Sequence, residues 1–264
     1  MNPPAQFDGL DRVALPDRPL HLAIGMFDGV HLGHRAVVEA AVQSARRSDG
    51  IAAVLTFWPH PSALFRPEHP TPLILDGATR ARLLLRLGVE AVITQPFTRE
   101  FAAIAAEDFL PWLGQKLPHL AAVYAGENFR FGRGRRGDVA LLVAEARRLG
   151  LDLFSAPRIS FDGEPISSTR IRGLLAAGEI AAANALLGYT YFAEGVVASG
   201  KRLGRTIGFP TLNLAWSPGQ RPRFGVYVAR VSGAKATAPL PAVANNGLRP
   251  TVEQSTEPRI ETHV

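Results

Sequence analysis

Gly25-Met26-Phe27-Asp28-Gly29-Val30-His31-Leu32-Gly33-His34 is the stretch from which the fold can be read. Behind it lies a short apolar run, His21 to Met26, and ahead of it Arg35 to Arg47 spaces its apolar residues as a helix does. The string is therefore expected to be a strand-to-helix turn, where an α/β sheet binds phosphate. Unpaired N–H groups at a helix N-terminus point toward an anion, and His31 and His34, three residues apart on the first turn, can add donors to the same oxygens. Nucleotide phosphate handling is the implied chemistry. His-x-x-His could also supply two zinc ligands, but the chain has no cysteine to complete a thiolate set.

Outward from this turn, apolar runs at Ile51 to Phe57, Ala91 to Gln95, Ala121 to Tyr124 and Leu151 to Ala156 alternate with helix-spaced segments at Thr79 to Leu87, Ala105 to Leu117 and Asp138 to Leu149. Such alternation predicts a parallel sheet wrapped by helices, an α/β domain. Ser168 to Leu187 reads as two short helices broken at Gly178. Beyond Gly188 the texture changes to strand-like runs, Tyr191 to Ala198 and Gly225 to Val231, between Gly and Pro turns, which predicts a small antiparallel β domain. The expected domains are 1–187 and 188–264.

The 264 residues suffice for two cores, and 47% hydrophobic with 20% charged residues describes a chain that folds. No run approaches the roughly 18 to 20 apolar residues of a membrane span, and Met1 to Leu20 has no apolar signal core. No membrane partner is expected. The absence of cysteine favours a cytoplasmic location. The net charge of +6 is concentrated at the C-terminal end: nine Lys+Arg face four Asp+Glu from Gly188 onward, against 20 and 19 before it. Polyphosphate substrates attract such a module as nucleic acid does, but the interleaved aromatics of a single-strand platform are sparse, so no nucleic-acid partner is expected.

Ligands of an open α/β sheet gather beyond its C-terminal strand ends, so motifs at those ends should converge. Gly25, Phe27, Asp28 and Gly33 accompany the two histidines. Thr56-Phe57-Trp58-Pro59-His60-Pro61 ends a strand in aromatics and prolines, a rigid apolar wall able to stack on a flat ring through Phe57 and Pro59. Asn128 and Arg130 lie in a Gly-, Arg- and Phe-rich loop, Ala125 to Asp138, that could close over phosphates or a flavin-like ring. Ser168, Thr169 and Arg172 offer hydroxyls at a helix start with an arginine in reach.

Together, the histidine turn, Thr-Phe-Trp-Pro-His-Pro, Asn-Phe-Arg-Phe-Gly and Ile-Ser-Ser-Thr-Arg-Ile-Arg resemble the bacterial bifunctional riboflavin kinase/FMN adenylyltransferases, the FAD synthetases. The resemblance implies a Rossmann-like nucleotidylyltransferase domain in which the FMN phosphate attacks the α-phosphate of ATP, giving FAD and pyrophosphate. It assigns His31 and His34 to the charge developing on the transferred phosphates. Asn128 would contact nucleotide or flavin, and Ser168, Thr169 and Arg172 the outgoing pyrophosphate.

Gly200-Lys201-Arg202-Leu203-Gly204-Arg205-Thr206-Ile207-Gly208-Phe209-Pro210-Thr211-Leu212-Asn213 resembles the ATP site of riboflavin kinase, which converts riboflavin and ATP to FMN and ADP. A Gly-rich basic loop, with Gly200, Lys201 and Gly204, can wrap phosphates. Thr211 and Asn213, two apart on a strand, face one side and can jointly hold Mg²⁺. By the family pattern Glu261 is the base for the riboflavin 5′-hydroxyl. Asn245-Asn246-Gly247 departs from that pattern, which usually has Ile at position 246. Arg259 to Val264 has no turn residue after it, so the sequence is expected to stop inside a strand, short of the strands that close the barrel, with kinase activity impaired. Two rivals share parts of this pattern: an adenylyltransferase of the same fold with another phosphorylated precursor, and a basic nucleic-acid module.

Overall fold

The computed structural model describes residues 4–198, 211–214, 216, 219–233, 238–247 and 259–264. Two compact units divide the chain, Met1–Ser168 and Thr169–Val264.

In the first unit the chain runs β1 (Ala5–Asp8), β2 (Leu20–Ile24), α1 (Leu32–Arg47), β3 (Ile51–Trp58), α2 (Pro61–Phe65), α3 (Gly77–Arg86), β4 (Ala91–Pro96), α4 (Arg99–Ala102), α5 (Ala106–Lys116), β5 (Leu120–Gly126), α6 (Val139–Arg148), β6 (Asp152–Ala156) and a small hairpin, β7 (Ser160–Phe161) with β8 (Glu164–Pro165). Six strands form one parallel sheet in the order β1-β4-β3-β2-β5-β6. This is the predicted Rossmann-like α/β layer. Strands covered on both faces read as continuous apolar runs, and every residue of β2 is buried, as is all of β3 except Trp58. On α1 the buried residues are Val37, Val38, Ala41, Val42 and Ala45, the stripe a helix lays on a sheet. Asp76 and Asp138 cap α3 and α6, accepting from the N–H of Thr79 at 2.8 Å and Leu141 at 3.0 Å.

The second unit opens with α7 (Ser168–Ala177), whose first residue belongs to the first unit, and continues through α8 (Ile180–Leu187), β9 (Val197–Ala198), β10 (Thr211–Leu214), β11 (Gly225–Val231), β12 (Leu240–Gly247) and β13 (Arg259–His263). Gly178, at φ 83°, separates the two helices, and Gly188, at φ 74°, ends the second in the left-handed conformation. The first of these helices is tied to the segment before β11: Arg223 N–H donates to Leu175 O at 2.9 Å. The five strands form a sheet in the order β11-β12-β13-β10-β9, every pair antiparallel. The strand expected over Tyr191 to Ala198 is confined to Val197–Ala198. Tyr191 serves side-chain bonds instead, its N–H donating to Asn184 Oδ1 at 2.7 Å and its hydroxyl to Gln220 O at 3.1 Å.

The loop after β5 is pinned at one glycine. Gly132 has φ 70°, and a Cβ there would stand 2.5 Å from Ala106 Cα, whereas Gly134, at φ 64°, faces open space. Gly132→Ala is expected to lower unfolding free energy by about 2 kcal/mol or more, and Gly134→Ala by about 1, in denaturant titrations. Equal losses would show that φ alone, without the close approach, sets the cost.

Candidate active site

Strand β2 lies between β3 and β5: the chain winds one way from β2 through β3 to β4, then returns past β2 to β5, so the C-terminal ends of β2 and β5 flank the sheet's switch point. The turn from there to α1 is strained. Phe27 and Val30 hold φ at 50° and 41° and Gly29 at 85°, a region that costs a non-glycine residue about 1–3 kcal/mol. Tethers on every side hold it. Asp28 Oδ1 accepts from Ile74 N–H at 2.9 Å and Leu75 N–H at 3.3 Å, Thr56 Oγ1 donates to Met26 O at 3.1 Å, and Ser168 Oγ donates to Asp28 O at 2.8 Å. A Cβ on Gly25 would meet the Phe27 ring at 3.0 Å, and one on Gly33 the His31 ring at 3.2 Å.

The two histidines meet. Their rings stack with centroids 3.5 Å apart and 18° between planes, with the Phe27 ring edge-on to His34 at 5.4 Å. His31 caps α1, its Nδ1 accepting from His34 N–H at 3.3 Å, so the neutral ring carries its proton on Nε2. Burial pushes the His31 pKa down to about 4, opposed by a backbone hydrogen bond. His34 is held well below the usual histidine range by burial first, then by the charges of His31 and Arg80. Both rings are neutral at pH 7. Among the described residues the enclosed His34 Nδ1 has no partner. A helix N-terminus and the Nε2–H of a neutral imidazole lie together here, which suits phosphate oxygens.

Phe27 and Asp28, expected at the nucleotide, are each only 2% exposed and shape the turn from within. Phe57 is buried against Phe97 and Phe101, at 6.2 and 5.4 Å; the ring that reaches the surface at this strand end is Trp58, 43% exposed. Pro59 follows it through a cis peptide, and His60 caps α2 through Nδ1, which accepts from Ser62 N–H at 3.1 Å. Asn128 and Arg130 are exposed on the loop after β5, with Arg130 Nη1 3.5 Å from Asp138 Oδ2. Phe131 anchors that loop, stacked on Phe129 and tilted on Phe109.

In the second unit Arg172 Nη2 donates to Thr169 Oγ1 at 3.2 Å. The strand register sets Asn213, Glu261 and Asn245 directly opposite one another on β10, β13 and β12, with Thr211 opposite His263. Directly paired residues share a face with Cβ atoms about 4.5–5.5 Å apart, so a hydroxyl, an amide and a carboxylate gather there. Gly200, Lys201 and Gly204 lie outside the described residues.

Known proteins carry the same two-part arrangement. The FAD synthetase family model matches residues 15–170, and the riboflavin kinase family model residues 187–264. Bifunctional riboflavin kinase/FMN adenylyltransferases are similar over most of their length. The one from Escherichia coli K12 is 38% identical over 90% of this chain and 75% of its own, and that of Bacillus subtilis 33% over 92% and 77%. The chain belongs to this bifunctional family. A crystal structure of a Streptococcus pneumoniae protein named for macrolide efflux superposes with a TM-score of 0.84 at 29% identity, over 98% of this chain and 83% of that one. Among the described residues no helix is long and apolar enough to cross a membrane.

Sequence reasoning missed Arg80 and the Ile74–Leu75 backbone, which hold the family's histidine turn from α3 and the loop before it. The signal for Arg80 was its position: it precedes the buried Leu84 by four residues, on the face α3 turns inward.

The depressed histidine pKa sets an acid limit on stability. An unfolded histidine takes up its proton near pH 6.5, folded His31 only near 4, so between these the unfolded chain binds more protons and stability falls as pH drops. His31→Asn keeps a capping side chain and removes the titration. Between pH 7 and 4 the wild type is expected to lose up to about 3 kcal/mol more than this variant in urea unfolding; parallel losses would show that His31 does not titrate this way.

Proposed function

We propose that residues 1–187 form an FMN adenylyltransferase domain and residues 188–264 a riboflavin kinase domain, converting riboflavin to FMN and FMN to FAD with ATP. The observation that carries the first activity is the stacked neutral pair His31 and His34 at the switch point, in a chain of this family. An FMN phosphate oxygen attacks the α-phosphorus of ATP; that P–O bond forms as the bond to the β-phosphate's bridging oxygen breaks, and pyrophosphate leaves. Charge builds on the phosphate oxygens as this happens. His31, donating through Nε2–H, and His34 beside it stabilise that charge without having to reorganise. Ser168, Thr169 and Arg172 keep the role their motif implies, holding pyrophosphate, and Asn128 and Arg130 that of nucleotide or flavin contacts.

In the kinase domain Glu261 takes the proton from the riboflavin 5′-hydroxyl, whose oxygen attacks the γ-phosphorus of ATP as the bond from that phosphorus to the β–γ bridging oxygen breaks and ADP leaves. Oxygen donors suit Mg²⁺, and the face that presents Thr211, Asn213 and Glu261 fits it. Bound there with the nucleotide, Mg²⁺ would screen the phosphate charge. The cysteine-free composition supports a cytoplasmic setting.

Protein incubated with ATP, Mg²⁺ and FMN is expected to give FAD and pyrophosphate, and with riboflavin to give FMN, resolved by chromatography. His34→Ala should slow FAD formation about 100- to 1,000-fold and spare riboflavin phosphorylation. Glu261→Gln should slow FMN formation about 100- to 10,000-fold and spare FAD formation from FMN. Absence of FAD from the wild type overturns the first assignment, and absence of FMN the second.

A further inference from the structure

Arginine is almost never fully buried, yet Arg80 on α3 is 0% exposed. Its guanidinium is spent on backbone rather than on a carboxylate. Nη1 donates to Met26 O at 3.1 Å and Nη2 to Phe57 O at 3.0 Å. Met26 is in the turn that leaves β2, and Phe57 is near the end of β3, the strand paired beside it. One planar fork thus joins two neighbouring strand ends at the switch point. The Trp58 ring lies alongside, 5.8 Å from the guanidinium carbon to its centroid. Among the described residues the buried Nε–H has no partner. An apolar side chain of similar volume would fill this space without desolvating a cation, so packing alone does not account for arginine here.

We propose that Arg80 is a positioning residue of the adenylyl-transfer site, its guanidinium fork holding the carbonyls of Met26 and Phe57 so that the Gly25–Val30 turn presents His31 and His34 to phosphate. The proposal rests on the adenylyltransferase reading of that turn. Met26 O carries two donors, the neutral Thr56 hydroxyl and the charged fork. The strained φ values of Phe27 and Val30 follow directly, so the fork braces the segment most inclined to relax. Arg80 also adds to the field at His34, after burial and the stacked His31. The titratable and charged groups around that ring are the stacked His31, Arg80 from α3 and, in Arg80's own surroundings, Asp28 of the turn and Asp76 at the start of α3. The Arg80 charge favours neutral His34, the state that meets the incoming anion.

The test compares wild type, Arg80→Lys and Arg80→Met in FAD formation and, with no substrate present, in the titration of the His34 ring followed by NMR. Arg80→Met should lower kcat about a hundredfold, the scale of an ångström's misplacement, with a much smaller change in the KM for ATP. In it His34 should titrate at higher pH than in the wild type. Lysine keeps the charge without the planar fork, so Arg80→Lys should keep the wild-type titration and recover only part of kcat. If Arg80→Met does not accumulate as folded protein, Arg80→Gln, which drops the charge but keeps an amide donor, takes its place. A neutral variant with wild-type kcat and an unmoved His34 titration would overturn the proposal. So would Arg80→Lys as impaired as the neutral variants in both readouts. Wild type that makes no FAD would defeat the functional reading instead, while the histidine titrations would still decide what Arg80 does.

Discussion

Seven residues carry the chain from the buried end of β2 to the first turn of α1, and the first unit's chemistry depends on the shape they are forced into. A strand buried on both faces cannot bend toward its helix until it has left the sheet. The direction change therefore falls on Gly25 to His31, with Phe27 and Val30 in a backbone region they do not favour. Such a conformation persists only where its surroundings over-determine it. Here Thr56, the Ile74–Leu75 backbone, Arg80 and Ser168 come from four separate places in the sequence to bond the turn. The histidines are consequences of that brace: His31 is placed by ending the turn as the helix cap, and His34 by stacking on it one helical turn later.

This explains why the first layer of the fold was legible and part of the site was not. Continuous apolar runs and helix spacing are local signals, and they located β2 to β6 and the larger helices of the first unit within a few residues. β1 was missed because it is a four-residue edge strand with one partner, and β12 because Pro241 and two asparagines interrupt its apolar character while the ladder on both sides supports it. Phe57 and Trp58 illustrate a subtler failure. Inside a strand buried on both faces the sequence carries no alternation, so nothing local says that the first ring turns into the core and the second to solvent. Arg80 fails for the opposite reason: a charge in a helical segment reads as a solvated face, and only the tertiary fold supplies the two carbonyls that make its burial possible.

In the second unit the constraint is register rather than turn strain. Asn213, Glu261 and Asn245 come from three strands, and only the observed pairing puts them in one row. A slip of one residue in β13 would turn Glu261 to the opposite face and replace it in the row with Ile260 or Thr262. The sequence could nominate Thr211, Asn213 and Glu261 from the family pattern. It could not show that β12 also joins that row.

The electrostatics of the histidine turn join these threads. Two stacked imidazoles 3.5 Å apart cannot both be charged cheaply, and burial keeps both neutral at pH 7, aided at His34 by the Arg80 charge. A neutral imidazole still carries one N–H, and because His31 spends Nδ1 on the helix cap its remaining donor is fixed on Nε2. An exposed histidine pair would titrate with the solvent and lose that fixed assignment. The burial that destabilises the turn in acid is thus the same feature that holds both rings in one neutral state at pH 7.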